Sequence, residues 1–226
     1  MTYRRGAALY LAALAVVVYL LMWLGYRQNW GWLHGFDWSL LNASHDAAVK
    51  HPGWVRFWAA VSLWLGPNVL RLVDAVAAVV ALVRRNARAA LLLVACGPLN
   101  GFVTVAAKGL ADRPRPSTML VPVPQTSFPS GHALETMAAV LALLAFVLPM
   151  LPQVATRVAV ALSALLLVLV GVSRVALNVH YPSDVLAGWS LGYLYVLLCV
   201  TVFSPKPLPR WAIRWSQRRD PTGAKA

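Results

Sequence analysis

Acidic residues are scarce in this chain of 226 residues, where seven Asp and Glu stand against 20 Lys and Arg. Charged residues of both signs make up only 12% of the sequence, whereas soluble domains usually contain about 25%. This scarcity of charge excludes an ordinary water-soluble globular domain. The hydrophobic share of 60% and the mean hydropathy of +0.65 instead predict an all-α polytopic membrane protein.

Cysteine is equally rare, and the few acidic residues are too dispersed to form a metal site. Cys96 and Cys199 both fall inside apolar runs, which argues against a structural disulfide. No acidic residues pair at the spacing of metal ligands, so we expect no metal and no other cofactor. The net charge of +13 does not indicate a nucleic-acid partner, because the basic residues lie mostly at the ends of apolar segments. Anionic lipids at the cytoplasmic face are the predicted partner.

Six apolar segments reach or approach the length of about 20 residues that a membrane-spanning helix requires. They cover residues 7–25, 58–83, 87–107, 133–151, 158–177 and 185–203. We therefore predict one six-helix membrane domain over residues 1–204. An interfacial segment with a short amphipathic helix should join the first two spans. Residues 205–226 are predicted to form a basic cytoplasmic tail.

The second apolar segment is the least regular of the six. It contains Gly66-Pro67-Asn68, which predicts a kink. Arg71 and Asp74 follow at a spacing of three, which places them on one helical face. We predict an internal ion pair between them, with a functional role as the alternative.

The basic residues indicate how the chain is oriented in the membrane. Six spans place both termini on one side, which carries twelve Lys and Arg, while the opposite side carries seven. By the positive-inside rule, both termini are predicted to be cytoplasmic. The short chain and the weak glycosylation context favour a bacterial inner membrane, with the polar stretches facing the periplasm or the outside.

Three polar stretches share that outer side. They read KGLADRPRP (108–116), SFPSGHALE (127–135) and SRVALNVHYPSD (173–184). Lys108, Arg115 and Arg174 combine two planar guanidinium forks with a point charge, a set that can hold a phosphate dianion. Ser130 and Gly131 stand where a helix begins, and the first amides of a helix form an anion site.

Two histidines in these stretches can share a phosphoryl transfer, one attacking phosphorus and the other protonating the departing oxygen. Asp184 follows His180 by four residues, so its carboxylate can accept the second ring N–H and orient the imidazole. His132, in the Pro-Ser-Gly-His sequence, is the other candidate. The remaining histidines are interpreted as interfacial polar residues, namely His34, His45 and His51.

Three charged residues near these motifs leave alternatives open. Arg113 either lies at the membrane surface or touches phosphate. Glu135 is either an acid in the first helical turn, favoured by the helix dipole, or a determinant of substrate choice. Asp112 is expected to pair with a neighbouring arginine.

Together, the motifs resemble the signature of the type 2 phosphatidic acid phosphatase superfamily, which contains membrane lipid phosphatases. The signature has three parts: Lys, six residues and Arg-Pro; Pro-Ser-Gly-His; and Ser-Arg, five residues, His, three residues and Asp. This chain fills every position in the same order, over residues 108–116, 129–132 and 173–184. The six-helix layout extends the resemblance over most of the chain.

The resemblance implies a division of roles and a metal-independent reaction. His180 would be the nucleophile that forms a phosphohistidine, Asp184 would orient it, and His132 would be the general acid. The implied phosphate cradle comprises Lys108, Arg115, Ser130, Gly131 and Arg174.

The implied substrate is a lipid phosphate or diphosphate at the outer leaflet. Undecaprenyl diphosphate is the first choice, because an enzyme that recycles this carrier would face outward. Phosphatidylglycerol phosphate, phosphatidic acid and lipid A phosphate are the alternatives. Transfer of the phosphate to a second lipid is a rival reaction. An anion transporter is the non-enzymatic alternative, and its flux would survive the loss of His180.

Overall fold

The computed structural model describes residues 2–203, with side chains described from residue 8 onward. The predicted basic tail at 205–226 lies outside the described residues. Within the described range, nine α-helices and a short 3-10 helix follow one another with no strand between them. They are α1 Thr2–Arg27, α2 Gly31–Lys50, α3 Trp54–Trp64, α4 Pro67–Val83, α5 Ala87–Cys96, α6 Gly101–Ala111, α7 Gly131–Val147, the 3-10 helix Leu148–Met150, α8 Gln153–Ala176 and α9 Pro182–Phe203.

Six segments are long enough and apolar enough to cross a bilayer, as the sequence predicts. Two of these spans are formed by helix pairs, α3 with α4 and α5 with α6. The segments are Ala8–Arg27, Trp54–Val83, Ala87–Ala111, Gly131–Met150, Gln153–Ala176 and Pro182–Phe203. The all-α, six-span architecture is therefore confirmed.

The predicted kink separates α3 from α4. Pro67 is the first residue of α4, where its fixed φ and its missing N–H are tolerated. A Cβ atom at Gly66 would lie 2.1 Å from the carbonyl oxygen of Ser62, so only glycine permits this close passage of the chain. The bend brings Ser62 and the start of α4 to the same region of the molecule.

A second break, between α5 and α6, was not predicted. The sequence pattern indicates one helix over 87–107, but α5 ends at Cys96 and α6 begins at Gly101. The buried side chain of Asn100 donates hydrogen bonds from Nδ2 to the carbonyl oxygens of Cys96 (2.6 Å) and Glu135 (3.0 Å). The first of these bonds supplies the Cys96 carbonyl oxygen with a donor in place of the helical one that the interruption removes, and the second attaches the break to α7.

The predicted interfacial segment is a helix of 20 residues, not a short one. One face of α2 carries Leu33, Asp37 and Leu41 at a spacing of four, and all three are buried. This face packs against α8 and α9. Because an acid occupies the middle of an otherwise apolar face, α2 delivers a carboxylate into the protein interior.

Helices α7 and α9 lie side by side at the centre, and α9 also packs along α1. Small residues allow the central pair to approach closely, as is common in membrane proteins. A Cβ at Gly188 would lie 2.6 Å from the carbonyl oxygen of Ser130. One at Gly192 would lie 2.5 Å from that of Leu134. The close contact places the first turns of α7 and α9 next to each other.

The predicted ion pair between Arg71 and Asp74 is wrong. The Arg71 Nη2 atom lies 2.7 Å from Glu135 Oε2 on α7. Asp74 is fully buried, and neither of its carboxylate oxygens has a hydrogen-bond partner among the described residues. The two side chains diverge because Asp74 packs against Gly97, where an added Cβ would lie 2.5 Å from the Asp74 Cβ.

Candidate active site

The three polar stretches meet at one end of the bundle, because α6 and α8 end there while α7 and α9 begin there. The backbone N–H of Ser130 donates to the carbonyl oxygen of Asp184 at 2.9 Å, which joins the second stretch to the third. Arg115 reaches His180 from the first stretch. The predicted site residues at this end are Lys108, Arg115, Ser130, Gly131, His132, Arg174, His180 and Asp184.

The contacts of His180 select one tautomer of its ring. Arg115 Nη1 lies 3.2 Å from His180 Nε2, and a guanidinium can only donate, so Nε2 is the unprotonated nitrogen. On the other side of the ring, Nδ1 lies 3.4 Å from Asp184 Oδ2, the arrangement in which Nδ1–H donates to a carboxylate. The imidazole therefore presents the Nε2 lone pair beside Arg115.

The environment of His180 keeps its ring neutral. The residue is only 2% exposed, and burial lowers the pKa of its imidazole well below 6.5. The positive charges of Arg174, Arg115 and Lys108 lower the same pKa further. A neutral ring at pH 7 retains the lone pair that a nucleophile requires.

Asp184 is held by other groups besides His180. The backbone N–H of Tyr181 donates to Asp184 Oδ2 at 3.0 Å, and Arg113 Nη1 donates to Oδ1 at 2.7 Å. Both carboxylate oxygens are therefore engaged within a fully buried residue. Pro182 starts α9 between His180 and Asp184, so the pair joins a loop residue to a first-turn residue.

The prediction that Arg113 lies at the membrane surface is wrong. Arg113 is buried, with Nη1 on Asp184 and Nη2 on Asp37 Oδ2 at 2.8 Å. Burial acts to lower the pKa of the Arg113 guanidinium, but Asp184 and Asp37 outweigh burial and raise that pKa. Because carboxylates occupy both terminal nitrogens, the side chain is directed toward the Asp184 side of the site.

Lys108, Arg115 and Arg174 form a cluster of cations without paired carboxylates. Among the described residues, no carboxylate oxygen lies within 4.0 Å of any of their nitrogens. Lys108 Nζ donates to the carbonyl oxygen of Thr126, and Arg174 Nη1 donates to Ser62 Oγ at 2.5 Å. Burial lowers the pKa of Arg115, although its guanidinium stays charged at neutral pH. Such a cluster is suited to a dianion.

The start of α7 borders the same cluster. Ser130 precedes the first helical residue and is fully buried, and its Oγ has no hydrogen-bond partner in the described part of the chain. A Cβ on Gly131 would lie 2.8 Å from Thr104 Cγ2 and 3.9 Å from Lys108 Cε. Gly131 is therefore required by close packing against α6. The first amides of α7 and the free hydroxyl remain available to an anion.

His132 and Arg174 line a cavity of about 260 Å³ together with Ser62 and Asn68. The rest of the cavity wall is apolar and comes from the α3–α4 bend, the loop after α6 and the end of α8. These apolar residues are Ala59, Leu63, Pro67, Val121, Val123 and Leu177. The cavity thus joins a polar end, which carries a histidine and an arginine, to an apolar wall.

Two expectations about neighbouring acids are wrong. Glu135 lies beyond the first turn of α7, buried beside Arg71, so its partner is an arginine side chain and not the helix terminus. Asp112 follows the last residue of α6 in a left-handed conformation (φ 47°). In the described structure no basic nitrogen lies within 4.0 Å of its carboxylate.

Sequence reasoning missed Asp37 and Ser183. Ser183 Oγ and N–H both donate to Asp37, at 2.6 and 2.9 Å. The available signal was the position of Asp37 between Leu33 and Leu41 on an apolar helical face. An ionised acid at a core position requires a buried partner.

Comparisons with known proteins agree with this architecture. The model of the PAP2 superfamily matches residues 88–207, more than half of the chain. Over 90 residues the chain is 37% identical to phosphatidylglycerophosphatase B of Bacillus subtilis (strain 168), covering 38% of this chain and 44% of that protein. Over 96 residues it is 35% identical to an undecaprenyl-diphosphatase of Sulfolobus acidocaldarius, covering 42% and 43%. The matched segments thus span less than half the length of either curated relative.

A solved structure shares the fold. The transmembrane PAP2-type phosphatidylglycerolphosphate phosphatase from Bacillus subtilis superposes with a TM-score of 0.74 at 22% identity, covering 86% of this chain and 96% of that one. This likeness extends over most of the chain, whereas the family model covers the segment that carries the three polar stretches. The chain belongs to the PAP2 superfamily.

Proposed function

We propose that the protein is a membrane lipid phosphatase that hydrolyses a phosphomonoester or diphosphate through a phosphohistidine on His180. The observation that carries this proposal is the placement of the neutral His180 ring. Its Nε2 faces Arg115, its Nδ1 faces Asp184, and three cations without paired carboxylates surround it. This combination provides a nucleophile within a site for a dianion.

In the first step, the phosphoryl group is held by Lys108, Arg115 and Arg174, with the Ser130 hydroxyl and the amides at the start of α7. The His180 Nε2 lone pair attacks phosphorus, and a P–N bond forms while the bond from phosphorus to the leaving oxygen breaks. The ring then carries a positive charge, which Asp184 stabilises through the Nδ1–H contact. His132 donates a proton to the leaving oxygen.

In the second step, His132 accepts a proton from water, and the water oxygen attacks phosphorus. The P–N bond breaks, its electron pair returns to Nε2, and inorganic phosphate leaves. The dephosphorylated ring returns to the tautomer that the Arg115 and Asp184 contacts favour. This cycle uses only side chains of the protein, so we predict full activity in the presence of a metal chelator.

For the substrate, we propose a lipid whose chain lies along the apolar wall of the cavity beside His132. Undecaprenyl diphosphate is the first choice, because an outward-facing site suits a recycled carrier lipid, and one relative is named an undecaprenyl-diphosphatase. Phosphatidylglycerol phosphate is the closest alternative, since another relative is named a phosphatidylglycerophosphatase. Phosphatidic acid and lipid A phosphate are further alternatives.

The proposed location is a bacterial inner membrane with both termini in the cytoplasm and the site facing outward. The distribution of basic residues in the sequence supports this orientation. Anionic lipids would contact the basic residues on the cytoplasmic side. An accessibility assay with cysteine variants at the two membrane faces tests the orientation.

The deciding experiment is phosphate release by the purified protein in detergent with EDTA. Undecaprenyl diphosphate, phosphatidylglycerol phosphate and phosphatidic acid are supplied in parallel, and His180→Ala is compared with the exposed control His51→Ala. We expect release that His180→Ala abolishes and His51→Ala retains, and the ranking of rates identifies the substrate. If all three lipids stay intact in folded wild-type protein, hydrolysis is excluded. Transfer to a second lipid is then the reaction to test.

A further inference from the structure

A buried chain of ionic contacts connects α2 to the proposed nucleophile. Asp37 Oδ2 accepts from Arg113 Nη2 at 2.8 Å, and Arg113 Nη1 donates to Asp184 Oδ1 at 2.7 Å. Asp184 Oδ2 in turn faces His180 Nδ1. Asp37 is 1% exposed and Asp184 is fully buried, so water does not screen these contacts.

We propose that Asp37 and Arg113 are positioning residues that hold Asp184 in the orientation required by His180. The proposal rests on the proposed function, in which His180 is the nucleophile and Asp184 orients it. Neither positioning residue is assigned a contact with substrate. Both act through the Asp184 carboxylate, which lies between them and the imidazole.

The contacts around Arg113 restrict its guanidinium to one plane. The ring of Tyr181 lies 3.8 Å from the guanidinium carbon and the ring of Tyr26 lies 4.8 Å from it. Ser183 Oγ also accepts from Nη1 at 2.8 Å. Because the plane of the guanidinium and the positions of Nη1 and Nη2 are fixed, Nη1 can reach only the Oδ1 oxygen of Asp184. The other oxygen is left to the Tyr181 amide and His180.

The charges of the chain favour attack by His180. Asp37 and Asp184 are negative and Arg113 is positive, so the three groups together carry one negative charge. Attack on phosphorus makes the His180 ring positive, and the remaining negative charge stabilises that ring. A neutral residue in place of Asp37 would leave a neutral chain beside the developing cation. The rate of attack should then fall, while the cations of the phosphate cradle are unchanged.

A purely structural role for Asp37 predicts a different result. Asp37 accepts hydrogen bonds from Ser183, so it also attaches α2 to the start of α9. If attachment were its whole purpose, loss of the carboxylate would lower thermal stability and leave the folded protein with normal turnover. A spectroscopic readout at His180 separates the two roles, since a structural attachment does not require the His180–Asp184 contact to change.

The test compares Asp37→Asn and Arg113→Lys with Asp46→Asn, an exposed acid on the same helix. The His180 Nδ1–H proton is observed by NMR in protein labelled with ¹⁵N-histidine and is assigned by its loss in His180→Ala. We expect this resonance to move upfield in both chain variants, because its hydrogen bond to Asp184 weakens, and to stay in place in Asp46→Asn. An unchanged His180 resonance in folded Asp37→Asn and Arg113→Lys overturns the proposal.

Kinetics on the same proteins provide an independent criterion. We expect Asp37→Asn to lower kcat about tenfold with KM within about twofold of wild type, the scale of effect seen when a partner acts through another side chain. The double variant Asp37→Asn/Arg113→Lys should lose less than the product of the two single losses, because both residues act through Asp184. If the loss of kcat in the double variant equals the product of the two single losses, the residues act independently, and the proposal that both act through Asp184 is overturned. If the wild-type protein releases no phosphate, the proposed function is contradicted. The His180 resonance in the variants still tests whether Asp37 and Arg113 position Asp184.

Discussion

Arg174 donates a hydrogen bond from Nη1 to Ser62 Oγ at 2.5 Å, which links the end of α8 to α3 across the cavity beside His132. Both residues are buried. The bend at Gly66 brings Ser62 into this position, so the kink in the second span contributes to the placement of an arginine in the proposed phosphate cradle.

Removing this hydrogen bond should weaken substrate binding. A hydrogen bond to a charged group contributes about 1.5–3 kcal/mol. We therefore expect Ser62→Ala to raise KM about tenfold, because Arg174 loses the contact that orients its guanidinium. Ser39→Ala, at an exposed serine on α2, is the control. Steady-state kinetics at several substrate concentrations measure the effect, and an unchanged KM would show that Ser62 does not orient Arg174.

The pH dependence should reflect the buried, neutral His180. Because burial and neighbouring cations hold the pKa of His180 well below 6.5, the ring stays unprotonated in the folded protein as the pH falls through 6.5. We expect kcat/KM to show no loss from this residue near pH 6.5 and to decline only at lower pH. The ionisation of the substrate phosphate is titrated separately and subtracted. A fall in the enzyme-derived kcat/KM as the pH drops through 6.5 would contradict the prediction.

The same shift has a consequence for stability. In the unfolded chain, His180 has its ordinary pKa of about 6.5 and binds a proton below that pH, whereas the folded chain does not. The unfolded state therefore binds more protons, and the free energy of unfolding should fall as the pH falls below about 6.5. Denaturation measured from pH 8 to pH 5 tests the sign. His180→Ala should reduce this pH dependence.

The partner of Arg71 can be tested with two matched substitutions. Glu135→Gln removes a carboxylate that pairs with Arg71, so we expect the free energy of unfolding to fall by about 2 kcal/mol, less than for a fully buried pair. Asp74→Asn removes a buried carboxylate without a hydrogen-bond partner in the described structure, and we expect no loss of stability. Thermal unfolding in detergent measures both variants. A larger loss of stability in Asp74→Asn than in Glu135→Gln would indicate that Arg71 pairs with Asp74 and not with Glu135.

The close contact between α7 and α9 should tolerate no side chain at Gly188. A methyl group there would lie 2.6 Å from the Ser130 carbonyl oxygen. We expect Gly188→Ala to destabilise the protein by about 1–3 kcal/mol, the usual effect of overpacking, and to lower activity by shifting the start of α7. The control is Gly109→Ala on α6, where no atom lies within 4 Å of the added Cβ and a modest stabilisation is expected. Equal unfolding temperatures for the two variants would contradict the packing argument.

Several features could be predicted from the sequence because they depend on local composition. Hydropathy over about 20 residues identified all six spans, and Gly66-Pro67 identified the kink. With six spans established, alternation across the membrane brings the three polar stretches to one end of the bundle. The spacing of His180 and Asp184 around Pro182 was enough to predict their contact. The break between α5 and α6 also had a local signal, the dipeptide Gly97-Pro98. The apolar residues on both sides made this region look like one continuous helix.

The choice of partner for each buried charge could not be predicted in this way. Arg71 and Asp74 share a helical face by spacing, yet Arg71 contacts α7 and Asp74 contacts Gly97 just after α5. Arg113 lies in a polar motif, yet it bonds to Asp37, 76 residues earlier in the chain. These contacts depend on how each helix is rotated about its axis and on how closely it packs against its neighbours.

By itself, the sequence determined the membrane class, the number of spans and the residues that gather at one end of the bundle, because hydropathy and motif spacing act along the chain. Only the tertiary structure decided that Asp37 reaches Arg113 and that Ser62 holds Arg174. The physical reason is that an ion pair or a hydrogen bond forms only when its two groups lie within about 4 Å of each other. In this bundle, the helices that supply those partners are brought together by packing between segments far apart in sequence.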